Sequence, residues 1–359
     1  MYIREILSCR RLGAGAVTGI GSLPHTDAEA AVRLVAEVSP EIPFWPQLPQ
    51  RAVEERMVEQ ALTPVLDLLA PRRDSCGYAL LRADRRADLI ARFEQAQAAL
   101  APFAAAGFFA FERALADGAF PRAVVLKGQI IGPATLAALL FVDGLPLVND
   151  PVALAVVGSY IQRLAIWQIE RLARWRTPVL LMLDEPYLAL LPERDATGET
   201  MRVVQSVVHG IQATGALVGV HCCAILPDGA PPVALLCRTG ADVVSFDAYH
   251  RVASWCAAPE VCAFLARGGV LAFGLVPTLH DLSALCSADL LTNWIIATAG
   301  CDRQVDVASH TLVTATCGMG LLSEDAARQS FRLARDVASL IGRMPGLEAN
   351  GQGKKRSLR

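Results

Sequence analysis

The chain has 359 residues, 53% of them hydrophobic and 19% charged, and its 33 Lys and Arg nearly balance its 35 Asp and Glu. Those proportions exclude a highly charged disordered chain, and a net charge of -2 leaves no field to draw the protein onto nucleic acid. The length fits one large barrel or two modest domains. No run of about 18 uncharged apolar residues occurs, so membrane insertion is not expected. Met1–Arg11 carries Arg4, Glu5, Arg10 and Arg11 around a short apolar patch and lacks a signal-peptide core, which makes a cytoplasmic location the expectation. In that reducing compartment most of the 10 cysteines read as small buried apolar residues, and their spacing matches no compact disulfide framework.

Taken in chain order, the pattern predicts a strand at Val17–Leu23, a helix at Ala28–Val38, and a strand at Pro43–Leu48 crowded by Pro43, Pro46 and Pro49. A helix at Ala52–Leu62 precedes a long helix-rich stretch, about residues 72–117, read as an insertion or an extra helical layer. Then come strands at Ala123–Ile131 and Val179–Leu183 around a helix at Val152–Trp175, and strands at Ala216–His221 and Asp242–Asp247 after a helix at Thr200–Thr214. A helix at Pro259–Ala266, strands at Val270–Val276 and His310–Ala315, and a helix at Glu324–Ile341 complete the pattern. The strand runs are almost continuously apolar, as expected of parallel strands buried on both faces. Eight strands alternating with helices point to an α/β fold, a single (β/α)8 TIM barrel with a helical insertion. A doubly wound open sheet has the same local pattern, so the count decides. The barrel is expected to occupy residues 1–345, with 346–359 a polar, basic, disordered tail.

In such a barrel, chemistry collects at the C-terminal ends of the strands. Unusual polar residues stand there: Gly21-Ser22 near the end of the first strand, Asp184-Glu185 following the fourth, His221-Cys222-Cys223 where the fifth ends, Asp247 as the last residue of the sixth and Cys317-Gly318 beyond the eighth. His221, Cys223 and Cys317 are ligands that suit zinc, and Asp247 would add an oxygen. The His-x-Cys spacing sends both side chains to one face of a strand. Three or four protein ligands with an exchangeable position make a Lewis-acidic site, suited to lowering the pKa of a substrate thiol and delivering a nucleophile. Taken singly, each of the three reads as well as a packed or hydrogen-bonded structural residue, and Asp247 as well as a helix N-cap. Cys222, Cys237, Cys262, Cys286 and Cys301 read as core residues.

Six motifs in this order, Ile20-Gly-Ser-Leu-Pro24, Gly132-Pro-Ala-Thr135, Asp184-Glu-Pro186, His221-x-Cys223, Ala241-Asp-Val-Val-Ser-Phe-Asp247 and Cys317-Gly318, resemble the C-terminal catalytic barrel of cobalamin-independent methionine synthase. That barrel belongs to the larger fold family shared with uroporphyrinogen decarboxylase, and the resemblance runs from about Val17 to about Ile341. It implies Zn2+ held by His221, Cys223 and Cys317, with Asp247 where the family has a glutamate ligand. It implies that Ile20, Gly21 and Ser22 hold the homocysteine carboxylate and that Asp184 pairs with the substrate ammonium, with Glu185 a second ammonium contact or a structural carboxylate.

Three departures qualify this. The length leads to the expectation that the second barrel of the folate-dependent enzymes is missing. The stretch Pro46–Arg51 lacks the family's second ammonium-binding carboxylate, although Glu54 and Glu55 lie just beyond, and the family's acid histidine has no equivalent at Gly274. His280, six residues on, is not assigned that role. The resemblance thus implies the short, core-type enzymes: methyl transfer to a zinc-activated thiol, homocysteine becoming methionine, with a methylated corrinoid on a carrier protein as donor and no acid needed for its leaving group. The alternatives are a different thiol acceptor such as coenzyme M, a metal-free lyase like uroporphyrinogen decarboxylase, and a zinc-binding barrel without turnover. Oligomeric state is open.

Overall fold

The computed structural model describes residues 16–73, 77–191, 195, 197–250, 258–301 and 306–344. The expectations for Met1–Arg11 and for the tail 346–359 fall outside them. The described strands are β1 (Leu69–Pro71), β2 (Tyr78–Leu80), β3 (Leu126–Ile131), β4 (Leu140–Val142), β5 (Leu145–Pro146), β6 (Val179–Asp184), β7 (Leu217–Cys222), β8 (Val243–Asp247), β9 (Val270–Val276) and β10 (Thr311–Ala315). Six of them form one parallel sheet in the order β10-β9-β8-β7-β6-β3, so each strand pairs with the next across a helical crossover. Every residue of β3, β6, β8, β9 and β10 is buried, as parallel strands covered on both faces require, and β3 carries Lys127 and Gln129 into that interior.

Two apolar clusters explain the curl. The smaller joins Leu180 and Met182 of β6 with Val243 of β8, Ala272 of β9, Leu312 of β10, Ala16 and Ile42, and so fills the concave side. The larger packs the helices onto the convex side. The longest helix, Pro151–Leu172, begins at the N-cap Asp150, whose carboxylate accepts from the amides of Val152 and Ala153, with Pro151 in the first turn. Together with the turn to Trp175 it is long and apolar enough to cross a membrane, but 56% of that window is buried against the rest of the chain.

The first two expected strands are not regular strands. Val17 bridges Val313 of β10, Ser22 bridges Gln47, and Phe44 bridges Lys127 of β3, each as an isolated parallel bridge. Pro43 and Pro46 have no N–H to give a ladder, and a side chain at Gly19 would collide with the Phe44 ring. The segment 72–117 holds the expected helices, Arg86–Gln95 and Ala106–Ala116, and also β2. With β1, β4 and β5, β2 forms a small mixed sheet that the helical pattern of this region concealed. The second of these helices is tied to helix Ala28–Val38 by an Arg113–Glu29 ion pair at 2.6 Å.

Candidate metal centre

His221 is the penultimate residue of β7 and Cys223 follows the strand, so alternation puts both on one face and Cys222 on the other. Cys222 accordingly lies buried, its Sγ directed at the Pro186 carbonyl, 3.7 Å away. Cys317 arrives from the end of β10. Its Sγ stands 3.4 Å from Cys223 Sγ, and the ligand atoms of His221, Cys223 and Cys317 all lie within 4.8 Å of one another.

The environment of these atoms suits a cation. His221 Nδ1 is 2.9 Å from Ser245 Oγ on the neighbouring β8, in line with the His221↔Ser245 register. That bond fixes the ring and leaves the buried Nε2 without a protein partner. Cys317 is held as the thiolate, its pKa pushed down to about 4, first by the hydrogen bond from Cys223 and then, against burial, by His221. The same hydrogen bond, with burial second, pushes Cys223 up. An orphaned imidazole nitrogen facing a thiol–thiolate pair is the donor set expected of a Cys2His zinc site.

Asp247 does not join this cluster. Its Oδ1 accepts from the amides of Tyr249 and His250 at 2.9 and 3.0 Å, and its Oδ2 lies 2.6 Å from His250 Nδ1. Glu185 is likewise turned away from any ligand. Its two oxygens accept from Ala134 N, Thr135 N and Thr135 Oγ1 at 2.9, 2.8 and 2.6 Å, and so cap the helix Pro133–Ala138. Gly132 admits it, because a Cβ there would fall on the Glu185 carboxyl. Of the two roles expected of Glu185, ammonium contact or structural carboxylate, these hydrogen bonds fit the second, made to a helix N-terminus rather than to a cation.

Asp184, at the end of β6, is 5% exposed and its Oδ1 has no partner. Burial pushes its carboxyl up, countered by His221 and Lys127. Lys127 is the residue that sequence reasoning missed. It is buried in β3, and its Nζ donates to the Ile20 carbonyl at 2.7 Å and to Gln129 Oε1 at 3.0 Å. Burial pushes its ammonium down, with Asp184 opposing. The signal was available: a lysine inside Leu126–Ile131, a strand otherwise fit for burial on both faces. Lys127, Asp184, His221 and Ser245 line one cavity within the curl, with Thr18 and Thr314.

The segment Ile20–Ser22 closes on the same region. Ser22 O accepts from Met319 N at 3.0 Å and Ser22 Oγ from Gly320 N at 3.3 Å, and a Cβ on Gly318 would collide with Ser22 Oγ. Ser22 is thus pressed against the Cys317 loop. At Gly274 an added Cβ would lie 2.7 Å from the Phe246 carbonyl oxygen and 2.9 Å from Thr316 Cα, so this backbone admits no side chain there. His280 is exposed. Of the other cysteines, Cys222 and Cys237 are core as expected, Cys262 is partly buried, Cys286 is exposed with its Sγ 3.1 Å from Asp289 Oδ2, and Cys301 is disulfide-bonded. The last two depart from the expected buried thiols. Cys286 does so because it stands at the exposed start of helix Ser287–Thr298, where its side chain caps no backbone amide.

No protein-family model matches the chain, and no curated protein matches it. Among solved structures it is similar to a B12-independent methionine synthase from Shewanella sp. W3-18-1, determined in complex with selenomethionine. The TM-score is 0.52 at 13% identity, over 88% of this chain and 88% of that one. At that identity the likeness is one of fold.

Proposed function

We propose that the chain is a zinc-dependent methyltransferase acting on a small thiol, with homocysteine as acceptor and methionine as product. The observation that carries this reading is the convergence of His221, Cys223 and Cys317, from the ends of two separate strands, around an orphaned Nε2. The fold likeness to a methionine synthase supports it, as do the isolated bridges that tie Val17 to β10, Ser22 to Gln47 and Phe44 to β3.

His221, Cys223 and Cys317 would hold the metal. Zinc bound there would supply Lewis acidity, lowering the pKa of an incoming thiol so that sulfur attacks as the thiolate. The remaining work falls to the chain. Ser22, beside the Cys317 loop, positions the amino-acid carboxylate. The unpartnered Oδ1 of Asp184 is a ready acceptor for an ammonium, and His221 and then Lys127 oppose the burial that pushes that carboxyl up. No side chain fits at Gly274 to protonate a leaving group, which favours a donor that needs no protonation, such as a methylated corrinoid presented by a carrier protein.

One observation favours a different acceptor thiol. Glu55, near the position where the resemblance would put a second ammonium contact, is fully buried and paired with Arg51 at 2.6 Å. Asp184 also faces Lys127. A thiol without an ammonium, such as 2-mercaptoethanesulfonate, would lose nothing from either arrangement.

The test is metal content of the purified protein beside a Cys223→Ser, Cys317→Ser variant, followed by methyl transfer from methylcobalamin to L-homocysteine or to 2-mercaptoethanesulfonate. About one zinc per chain, lost in the variant, and S-methylation of homocysteine are expected. A wild-type protein that neither contains nor takes up zinc would overturn the reading.

A further inference from the structure

The carboxylate best placed to be a fourth ligand is engaged elsewhere. In the β7–β8 register His221 faces Ser245 and Cys222 faces Phe246, so Asp247 comes next, beside Cys223. Its two oxygens nevertheless serve the loop that follows. Oδ1 receives two backbone amides, and Oδ2 lies 2.6 Å from the Nδ1 of His250, whose ring packs edge-on to Tyr249 with centroids 5.2 Å apart. His250 itself is half exposed, at 53% of its side chain, so the fold does not need it as a core residue.

We propose that His250 is a positioning residue that clamps Asp247 off the metal, so that the protein supplies three ligands and leaves the fourth position to the substrate thiol. This rests on the metal reading above and concerns which groups complete the site. The charge count gives the clamp its purpose. Zn2+ with two thiolates and a neutral imidazole is a neutral site, and an incoming thiolate makes it −1. A ligating Asp247 would make it −1 beforehand, and the thiolate would have to displace a carboxylate or bind against it. Asp is also one methylene shorter than Glu, which lets a turn of its own loop capture it.

The experiment uses the full chain loaded with Co2+ and titrated with 2-mercaptoethanol, following the sulfur-to-cobalt charge-transfer and d–d bands. Wild type and Asp247→Ala are expected to bind Co2+ with affinities within about threefold and to show the same thiol-dependent spectral change. His250→Ala should keep its cobalt but require about tenfold more thiol, because the freed carboxylate competes for the open position. His250→Gln, which retains an N–H donor for Oδ2, should behave as wild type, and His250→Ala with Asp247→Ala should restore the wild-type thiol affinity. A tenfold or greater loss of Co2+ affinity in Asp247→Ala would show Asp247 to be a ligand and overturn the clamp while leaving the metal site standing. An unchanged thiol affinity in His250→Ala would overturn it too. A wild-type chain that takes up no cobalt would overturn the metal reading and the clamp together.

Discussion

Cys223 Sγ and Cys317 Sγ lie 3.4 Å apart although 94 residues separate them in the chain. The pair shares a hydrogen bond that holds Cys317 as the thiolate, with its pKa lowered to about 4. In metal-stripped protein, iodoacetamide labelling of Cys317 should therefore be nearly flat from pH 8 down to about pH 6. An ordinary thiol slows about tenfold per pH unit below its pKa near 8.5. Cys223→Ala removes the donor and should restore a rising profile, read by mass spectrometry of the Cys317 peptide. Zinc should protect both sulfurs.

Asp184 offers one buried, unpartnered oxygen. If that oxygen receives an ammonium, Asp184→Asn should raise the KM for L-homocysteine about 10- to 100-fold, the size of a lost charge-assisted hydrogen bond, with bound zinc unchanged. The KM for 2-mercaptoethanesulfonate should stay the same. Equal effects on both thiols would assign Asp184 a structural role.

Lys127 and Asp184 are opposite charges buried in one cavity. Replacing Lys127 with Met leaves the carboxylate uncompensated and should cost about 3–5 kcal/mol in urea unfolding. The Lys127→Met, Asp184→Asn double variant should be more stable than Lys127→Met alone, because the orphaned charge has gone.

Burial raises the Glu185 carboxyl to about 7, above its ordinary value of 4.5. The folded state then holds that proton more tightly than the unfolded chain does. Its contribution to stability is complete below about pH 4.5 and is lost as pH rises through about 7. Glu185→Gln has no such titration, so its melting temperature should vary less than wild type between pH 5 and 8. It should be lower overall by a few degrees, because the amide presents N–H groups to backbone donors. The KM for the thiol should not move.

The parts of the fold legible in the sequence were those set by continuous burial. β6, β8 and β9, and helices such as Ala28–Val38 and Pro259–Ala266, lie where apolar runs and helical spacing put them, because both faces of a parallel strand and one face of its helix must be covered. The prolines at 43, 46 and 49 were visible too, but a reading by hydrophobicity alone still took that segment as a strand, whereas missing N–H groups leave only bridges. In the site, the His-x-Cys spacing was informative because alternation fixes which side chains share a face. For Glu185 and Asp247 the ligand or substrate role and the structural role were both readable, but the choice between them was not, since each carboxylate is captured by a nearby backbone whose geometry no local pattern reveals. Lys127 was overlooked because a cation in an apolar strand becomes meaningful only when its partner, 57 residues away in the numbering, is brought beside it.

The two segments that join the outer strands β3 and β10 do so through single bridges rather than ladders. This seam is where the wall should breathe first, and its amide hydrogens should exchange ahead of those in β6 to β9. It is also the stretch that carries Ser22, tied by hydrogen bonds to the loop of Cys317. A ligand gripping Ser22 and the cysteines together would act as a buckle across the gap. Loading the site should therefore slow exchange at 18–23 and 44–47 more than anywhere else, so that recognition and local tightening of the wall become a single event.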